Sequence, residues 1–445
     1  MNFECSIKQE LYKYLLLYCE SIDNLYIAFS GGVDSCVLLD ALFKINNELN
    51  LNKKIIAIHI NHNISKNSAK WESFCHKFCE DRNIKINSHQ VNLEIKKDET
   101  LESVARLARY NIFKSYVKDN KSILITAHHQ NDQAETVLLN LFRGSGIEGL
   151  TGMQVLASLD NSINTKLLRP LLNITKKTVL EYAKNNNLNW VDDESNSRVD
   201  YSRNFLRHEI IPKLQEKWPA VISKIAHSAE HSEDAKNYID KNIESHYQES
   251  LSVDKFGYKV LDIDYLRNLN NIEQKYLVRY FIKQQSAAYP SKIKLDEILN
   301  QVLTARPDAD ISVCWKKDNN KYEIKRFKHK IYLLKNFQHT HNKVYQKYIF
   351  KIDDEIYIKE IDKTIKLSFK DLDGVDIVRN QKLIEINFRK NLNANEVIVD
   401  IGNKQKYTLK KYLQKAGVPN WLKNDIVLII IDGKIKKLLY YNFAL

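Results

Sequence analysis

The first 145 positions of the chain alternate between short apolar runs and longer segments in which apolar residues recur every three or four positions. Runs of the first kind are typical of buried strands, and the second spacing is that of one face of a helix. Regular alternation of the two predicts an α/β fold with an open parallel sheet of Rossmann-like type. The predicted strands are 25–30, 54–60, 87–91 and 123–128, and the predicted helices are 35–49, 68–82, 100–118 and 132–143.

The pattern changes after Pro212 and Pro219. Two long helical stretches, 220–247 and 272–285, follow with no strand pattern between them, and short β-rich runs dominate from position 311 onward. One amphipathic helix interrupts those runs at 409–416. We therefore predict a helical domain and a smaller α+β domain after the first one, with the bounds 1–215, 216–310 and 311–445.

Composition limits the class of protein. The chain has 445 residues, 44% hydrophobic and 28% charged, which is the balance of a soluble globular protein. No apolar run approaches the roughly 20 residues that span a bilayer, and Glu4 and Glu10 occupy the segment where a signal peptide has its apolar core. We expect a cytoplasmic protein with no membrane partner, whose six cysteines, lacking a Cys-x-x-Cys pair, are reduced thiols.

The charge balance is basic. The formal net charge is +13, and positions 381–445 alone contain 12 basic and 5 acidic residues. Such an excess favours a polyanionic partner held with salt-sensitive affinity, for which nucleic acid is the obvious candidate. A solvated, lysine-rich surface is an equally common cause, so the charge leaves both interpretations open.

A glycine-containing hexapeptide joins the first predicted strand to the first predicted helix. A loop of this kind presents backbone N–H groups at a helix N-terminus, where the helix dipole also favours an anion such as phosphate. It lacks the lysine of a Walker loop, and a carboxylate among phosphates is repulsive unless it binds Mg²⁺ or fixes the loop. The alternative is a plain strand-to-helix turn in which the carboxylate caps the helix. The six residues are Ser30, Gly31, Gly32, Val33, Asp34 and Ser35.

This hexapeptide resembles the PP-loop of the ATP pyrophosphatase superfamily. That resemblance implies an adenine nucleotide alpha hydrolase-like fold and cleavage of ATP between its α and β phosphates, with adenylation of a substrate oxygen. Asparagine, GMP and argininosuccinate synthetases and tRNA-thiolating enzymes have the same loop. Other stretches must therefore decide among these activities.

Five further stretches are similar to one family of that superfamily, tRNA(Ile)-lysidine synthase. The resemblance implies that ATP and free L-lysine act on the wobble cytidine of the minor tRNA(Ile) with a CAU anticodon, giving lysidine, AMP and pyrophosphate. It also implies Mg²⁺ as cofactor. The stretches are His59 to His62, Glu102 to Tyr110, Ala127 to Gly146, Asp193 to Arg207 and Lys410 to Pro419.

By resemblance, the six loop residues would hold the nucleotide, and Asp34, Asp132 and Glu135 would be catalytic. Asp34 would also bind Mg²⁺, and Arg109, near the edge of the apolar stripe of its predicted helix, could reach over the sheet toward a phosphate or carboxylate and is the fourth catalytic candidate. Residues in contact with tRNA or lysine would be His129, Asp132, Glu135, Arg203 and Arg207.

Competing structural interpretations exist for several of these residues. Asp132 and Glu135 have the spacing of a capping box that completes a helix end, and the segment with Arg203 and Arg207 could be a loop fixed by ion pairs. Arg106, three residues before Arg109, could pair with Glu102 instead of reaching the site. Asn131 departs from the family's paired aspartates, so this position has no carboxylate.

Two other functions remain open on the sequence. A tRNA thiolase of the same superfamily would need a reactive cysteine or cluster ligands, whereas Cys75 and Cys79, four apart on a predicted helix, are expected to be core thiols. A non-catalytic, ATP-sensing RNA-binding protein would bind both ligands without releasing pyrophosphate. The sequence is compatible with a monomer and with a homodimer.

Overall fold

The computed structural model divides the chain into two compact units, Met1–Tyr238 and Ile239–Leu445. The described residues are 3–63, 65–91, 93, 101–160, 165–192, 202–306, 309, 311–317, 320–336, 345–351, 354–359, 363–366, 383–393, 398–399, 407–431 and 434–439. No helix within these ranges is long and apolar enough to span a membrane.

The first unit contains a six-stranded sheet and the helices that cover it. Its strands are β1 (Asn24–Ala28), β2 (Lys54–Asn61), β3 (Lys85–Gln90), β4 (Ser122–Ile125), β5 (Leu156–Asp160) and β6 (Thr165–Leu168). Its helices are α1 (Phe3–Tyr18), α2 (Val33–Glu48), α3 (Ser68–Glu80), α4 (Leu101–Tyr116), α5 (Gln130–Phe142), α6 (Ile147–Leu150), α7 (Lys176–Asn185), α8 (Ser202–Phe205) and α9 (Ile211–Lys217). A π-helix, Leu206–Ile210, joins α8 to α9, and α10 (Val221–Ser250) contains the division between the units.

The strand order of this sheet determines where a ligand can bind. The order is β3-β2-β1-β4-β6-β5, with β5 antiparallel to β6 and the other neighbours parallel. The chain runs outward from β1 to β3 and then returns to place β4 on the opposite side of β1. Loops that follow β1 and β4 therefore leave the sheet in opposite directions and form a crevice, the usual ligand position in open α/β sheets.

Two apolar layers hold the sheet between the helices. One core packs α1, α2, α3 and α7 against one face and includes Ile27, Leu38 and Tyr182. A smaller core on strands β1, β2, β4, β5 and β6 contains Phe113 of α4 and Leu124 of β4. Because residues of central parallel strands are buried on both faces, these strands are almost continuously apolar.

The second unit contains two larger sheets and a hairpin. One sheet has the order β7-β8-β11-β10-β9, the other has the order β12-β15-β18-β19-β16-β17, and β13 pairs with β14. The elements are β7 (Leu251–Val253), β8 (Lys259–Asp262), α11 (Ile263–Arg267), α12 (Asn271–Gln284), α13 (Lys292–Thr304), β9 (Ser312–Lys317), β10 (Asn320–Phe327), β11 (Lys330–Lys335), β12 (Tyr348–Lys351), β13 (Glu355–Ile358), β14 (Lys363–Lys366), β15 (Leu383–Phe388), β16 (Ile398–Val399), β17 (Tyr407–Thr408), α14 (Leu409–Lys415), β18 (Val427–Ile431) and β19 (Lys434–Leu439).

The predicted α/β fold is confirmed, and each predicted element of the first 145 residues is present with its ends shifted by about three residues or less. The sheet is not wholly parallel, because the hairpin of β5 and β6 adds an antiparallel edge that the pattern did not indicate. The expectation of no strand between the two long helical stretches is wrong. Strands β7 and β8 lie there and join a sheet with strands from beyond position 311. Both are short, and β7 is mostly exposed, so neither produces a clear apolar run.

Candidate active site

The loop after β1 turns sharply at Gly31. Its φ is +83°, which favours glycine, and a Cβ there would lie 2.8 Å from Cys75 Sγ and 3.0 Å from Val191 Cγ2. The amide of Val191 donates to the Gly31 carbonyl at 3.0 Å. Both backbone conformation and lack of space therefore require glycine at this position.

The next residues leave the N-terminus of α2 open to an anion. Gly32 is the N-cap and provides no side chain to accept hydrogen bonds from the first turn. The Ser35 hydroxyl donates to the Gly32 carbonyl at 2.9 Å, and Ser30 Oγ lies 3.2 Å from Ser35 Oγ. First-turn amides have no acceptor within their own helix, so an oxyanion held by this loop would cap α2. The loop has the geometry that the sequence predicted for phosphate binding.

Asp34 stands in the first turn of α2 between two cationic or hydrogen-bonding groups. Its Oδ1 lies 2.6 Å from Lys176 Nζ and 3.6 Å from His129 Nε2. Burial by itself would raise the pKa of Asp34, but the side chains of His129 and Lys176 outweigh this effect and lower the pKa to about 2. Asp34 is therefore ionised at neutral pH and is not a plain helix cap.

The N-terminus of α5, which follows β4, contains a capping box. His129 is the N-cap, and its Nδ1 accepts from the Asp132 amide at 3.4 Å, while Asp132 Oδ2 accepts from the His129 amide at 3.0 Å. The box therefore joins His129 to Asp132, and the predicted box of Asp132 with Glu135 is wrong because α5 begins two residues earlier than the sequence indicated. Since Nδ1 accepts, a neutral His129 has its proton on Nε2, facing Asp34.

Glu135 lies one turn further along α5 and is 1% exposed. Arg207 of the π-helix donates to it from Nε at 2.7 Å and from Nη2 at 2.9 Å, and Arg203 Nε lies 3.3 Å from Oε2. Burial nevertheless raises the pKa of Glu135 above its usual value, against the effect of Arg207. Arg207 Nη2 also contacts Asp132 Oδ1 at 3.0 Å. The two arginines are thus fixed by ion pairs, but on helices and not in a loop.

The pKa values of the two carboxylates on α5 shift in opposite directions. Burial opposes ionisation of Asp132, but its interactions with His129 and His128, the backbone hydrogen bond from His129 and the nearby Arg207 lower its pKa. His128 is itself half-buried, and this burial, together with the charges of three arginines, lowers its pKa to about 4 despite Asp132. Asp132 is consequently charged and His128 neutral at pH 7.

Two arginines of α4 act electrostatically on histidines that follow strands of the sheet. Arg109 is exposed, and its charge helps to lower the pKa of His62, the residue that follows β2. Arg106 stacks on Tyr110 at 4.8 Å, and its charge is one of those that act on His128. Arg106 therefore contributes to the electrostatics of the crevice, although the sequence favoured Arg109 for the site. The catalytic role of Arg109 stays a prediction.

Lys176 and the function of Asn131 could not be identified from the sequence pattern. Lys176 is the first residue of α7, and its backbone amide donates to Asn131 Oδ1 at 3.1 Å. Asn131 therefore fixes the start of a neighbouring helix. No local motif marks Lys176, because it meets Asp34 from 142 positions away.

A magnesium ion is compatible with the donor set at Asp34. Mg²⁺ in nucleotide sites is usually bound by one or two carboxylates together with phosphate oxygens. Within the described ranges, no cluster of three or more His, Cys, Asp or Glu side chains could hold a metal by itself. Asp34 is therefore suited to be one protein ligand of a nucleotide-bound cation.

A glycine loop between a parallel strand and a helix, at the switch point of an open sheet, defines the class of nucleotide-binding PP-loop proteins. A family model described as the PP-loop domain matches residues 3–214, and a model described as the TilS substrate binding domain matches residues 261–332. The first match establishes an ATP-binding domain.

Curated relatives extend the match over most of the chain. A tRNA(Ile)-lysidine synthase of Nitrosomonas europaea is 31% identical over 93% of this chain and 86% of its own length. One from Coxiella burnetii is 33% identical over 93% of this chain and 88% of its own length. The chain belongs to the tRNA(Ile)-lysidine synthase family.

Among solved structures, a U34-tRNA thiolase from Methanococcus maripaludis with a [4Fe-4S] cluster is 22% identical. It has a TM-score of 0.45 and covers 52% of this chain and 78% of its own. The cysteines provide separate information on that activity. Cys36, Cys75 and Cys79 are fully buried in the core, where burial raises their pKa values, so the predicted core thiols are confirmed.

Proposed function

We propose that this protein joins the ε-amine of free lysine to C2 of the wobble cytidine of tRNA(Ile) with a CAU anticodon. The reaction uses ATP and gives lysidine, AMP and pyrophosphate. The observation that carries the proposal is His129, whose Nε2 faces Asp34 at 3.6 Å and whose Nδ1 lies 3.4 Å from Asp132. One side chain thereby connects a phosphate loop to a carboxylate that can bind an amine, and family membership supports this combination.

The first step is transfer of AMP to the cytosine O2. The C2 carbonyl of cytosine is a poor electrophile, and adenylation converts its oxygen into a leaving group. The loop from Ser30 to Ser35 binds the pyrophosphoryl end of ATP, so that the α-phosphorus is exposed to the incoming oxygen. Positioning and electrostatic stabilisation are the main contributions of the protein to such a transfer. Bound Mg²⁺, held by Asp34, would neutralise phosphate charge during this step.

In the second step the neutral ε-amine of lysine attacks C2, the bond between C2 and the adenylated oxygen breaks, and AMP leaves with that oxygen. Free lysine has two ammonium groups. Asp132 is charged, its side chain is 14% exposed, and it lies one turn from His129, the histidine that faces Asp34. We assign Asp132 to binding of a lysine ammonium group. Glu135 is less suited to direct contact because Arg207 occupies both of its oxygens, so its role is to hold Arg207.

Arg109, Arg203 and Arg207 remain as candidate contacts to tRNA or to the nucleotide. Arg207 is 35% exposed at its side chain while it binds the two carboxylates, which leaves part of its guanidinium available to a phosphate. Arg203 donates to Thr136 Oγ1 at 2.8 Å as well as facing Glu135. Contacts of these groups would position the anticodon loop through its backbone and would not specify bases.

One assay separates this function from the alternatives. The protein is incubated with ATP, labelled lysine and total tRNA. Label is expected in acid-precipitable RNA and should survive mild alkali, because an amine bonded to C2 is stable where an aminoacyl ester is hydrolysed. AMP and pyrophosphate should form in equal amounts. Entry of labelled sulfur would support the thiolase, and binding of ATP and tRNA without pyrophosphate would support the ATP-sensing protein.

The basic C-terminal region is proposed to contact the tRNA backbone. Helix α14 buries Leu409 and Leu413 and exposes Lys410 and Lys411. Replacing both lysines by alanine should reduce the slope of log affinity against log salt by about 2. Lys121→Ala, at the opposite edge of the catalytic sheet from the crevice, is the control. A slope unchanged by the double substitution would contradict this assignment.

A further inference from the structure

Lys176 provides an ammonium group at a phosphate loop that has no lysine of its own. Its Nζ lies 2.6 Å from Asp34 Oδ1, and the side chains of both residues are 32% exposed. Each is therefore accessible from the crevice while remaining in contact with the other. Lysine serves as a point charge for phosphate in other nucleotide-binding loops.

Three contacts in register fix α7 beside α2. Lys176 meets Asp34 at 2.6 Å, the Tyr182 hydroxyl donates to Asp40 Oδ2 at 2.9 Å, and Lys44 Nζ donates to Asn186 Oδ1 at 2.5 Å. The partners of each pair are separated by the same 142 positions. Constant separation means that the two helices run in the same direction. The N-termini of α2 and α7 therefore lie together at the phosphate loop, and both helix dipoles favour an anion there.

The position of Lys176 is also fixed from the side of α5. Asn131 Oδ1 accepts its backbone amide at 3.1 Å, and the Thr175 side chain caps α7 by accepting the Thr178 amide at 3.1 Å. The backbone at Lys176 is thus held by Asn131 of α5 and by the cap of α7. Only its flexible side chain needs to move for the ammonium group to leave Asp34.

We propose that Lys176 binds the β- and γ-phosphate oxygens of ATP and stabilises the departing pyrophosphate. This inference rests on the proposed adenylation. There, the cytosine O2 forms a bond to the α-phosphorus, the bond from that phosphorus to the β-phosphate oxygen breaks, and its electron pair leaves with pyrophosphate. Lys176 keeps its protons throughout and donates hydrogen bonds to the added negative charge. Before ATP binds, Asp34 holds the ammonium group at the mouth of the loop.

The test compares Lys176→Met and Lys176→Arg with Lys177→Met as the matched control. Lys177 is the next residue of the same helix and is exposed. For K176M we expect the KM for ATP to rise about 10-fold and kcat to fall about 10-fold or more, because the contact strengthens as pyrophosphate leaves. K176R should recover most of both losses, and K177M should match the wild type.

Product inhibition identifies the part of the nucleotide that Lys176 contacts. Inhibition by inorganic pyrophosphate should weaken about 10-fold in K176M, whereas inhibition by AMP should change less than about 2-fold. If K176M does not fold, K176Q removes the charge while retaining a hydrogen-bond donor toward Asp34, and the same results are expected. A structural ion pair alone would lower the melting temperature and leave both inhibition constants unchanged, and that result would overturn the proposal.

These outcomes are distinguishable from failure of the proposed function. Binding of pyrophosphate can be measured calorimetrically without tRNA or lysine. Suppose that the wild type forms no lysidine but K176M binds pyrophosphate more weakly than the wild type. The phosphate contact would then stand, and the assigned reaction would fall. If the wild type formed lysidine and K176M kept the same affinity for pyrophosphate, the assigned reaction would stand and the phosphate contact would be overturned.

Discussion

The site contains two carboxylates of similar chemistry in opposite environments. Asp34, at the start of α2, faces Lys176 and His129 at the mouth of the crevice, and these neighbours lower its pKa to about 2. Glu135, in the second turn of α5, is buried beneath Arg207 and Arg203, and its pKa is raised. A cation accompanies each of them, so the sign of the partner does not explain the difference.

Neighbouring charges and accessibility separate the two carboxylates. Desolvation is the largest single effect on both pKa values, but the negative charge of Asp132 adds to it at Glu135, whereas His129 and Lys176 together outweigh it at Asp34, which keeps 32% of its side chain exposed. An accessible carboxylate can exchange its partner for a ligand at small cost, but an enclosed one would leave an uncompensated charge if its partner moved away. Asp34 is therefore suited to exchange its partner for a ligand, and Glu135 is suited to structural support.

The largest expected effect is on catalysis at Asp34. Asp34→Ala removes the proposed magnesium ligand and the acceptor of Lys176, so we expect lysidine formation to fall about 100-fold or more. AMP release in the presence of tRNA and lysine is the measurement. Asp23→Ala is the control, because Asp23 pairs with Lys121 at the solvent-exposed opposite edge of the sheet. Activity of D34A close to that of D23A would remove Asp34 from the mechanism.

Stability should respond most strongly at Arg207. Arg207→Met leaves Glu135 buried without its two strongest hydrogen bonds, and we expect the free energy of unfolding to fall by about 2 kcal/mol. This value is below the usual cost for fully buried pairs because the Arg207 side chain is 35% exposed. Urea denaturation measures the change. Lys213→Met, which removes an exposed partner of Glu209, should cost less than about 0.5 kcal/mol, and equal costs for the two variants would contradict the contrast.

The phosphate loop could be predicted from the sequence because its residues are consecutive and their conformational needs are local. Gly31 has a positive φ and close contacts, and Gly32 is the N-cap of α2. The strand and helix that flank this loop have apolar patterns long enough to identify. Together these signals predict an anion site in the loop after β1, where the strand order reverses.

The partners of the carboxylates could not be predicted in the same way. Lys176 meets Asp34 only because α7 lies parallel to α2, and that arrangement depends on the antiparallel edge of β5 and β6 and the chain that follows it. The sequence pattern starts α5 two residues late because a histidine is an uncommon N-cap. It therefore predicts the cap at Asp132.

A moderate effect on the KM for lysine is expected at Asp132. This residue contacts both His129, which faces Asp34, and Arg207, which binds Glu135. Asp132→Asn can still accept the His129 amide, so α5 keeps its start while the negative charge is lost. We expect the KM for lysine to rise about 10-fold, with the KM for ATP within about 2-fold of the wild type. Both constants come from initial rates of lysidine formation. An unchanged KM for lysine and unchanged turnover would show that Asp132 only caps the helix.

The smallest expected effect is on the pH dependence of stability, and its sign separates the two carboxylates. The pKa of Asp34 is lowered in the folded state, so its contribution is complete above its ordinary pKa of 3.8 and is lost as pH falls toward about 2. The pKa of Glu135 is raised in the folded state, so on acidification the folded protein binds this proton at a higher pH than the unfolded chain does. The folded state therefore gains stability as pH falls toward 4.5. Relative to Glu135→Gln, the wild type should gain stability on acidification to about pH 4.5, whereas relative to Asp34→Asn it should lose on the order of 1 kcal/mol below about pH 4. Urea denaturation across this range provides both differences, and two differences of the same sign would mean that the carboxylates do not differ in the way their environments indicate.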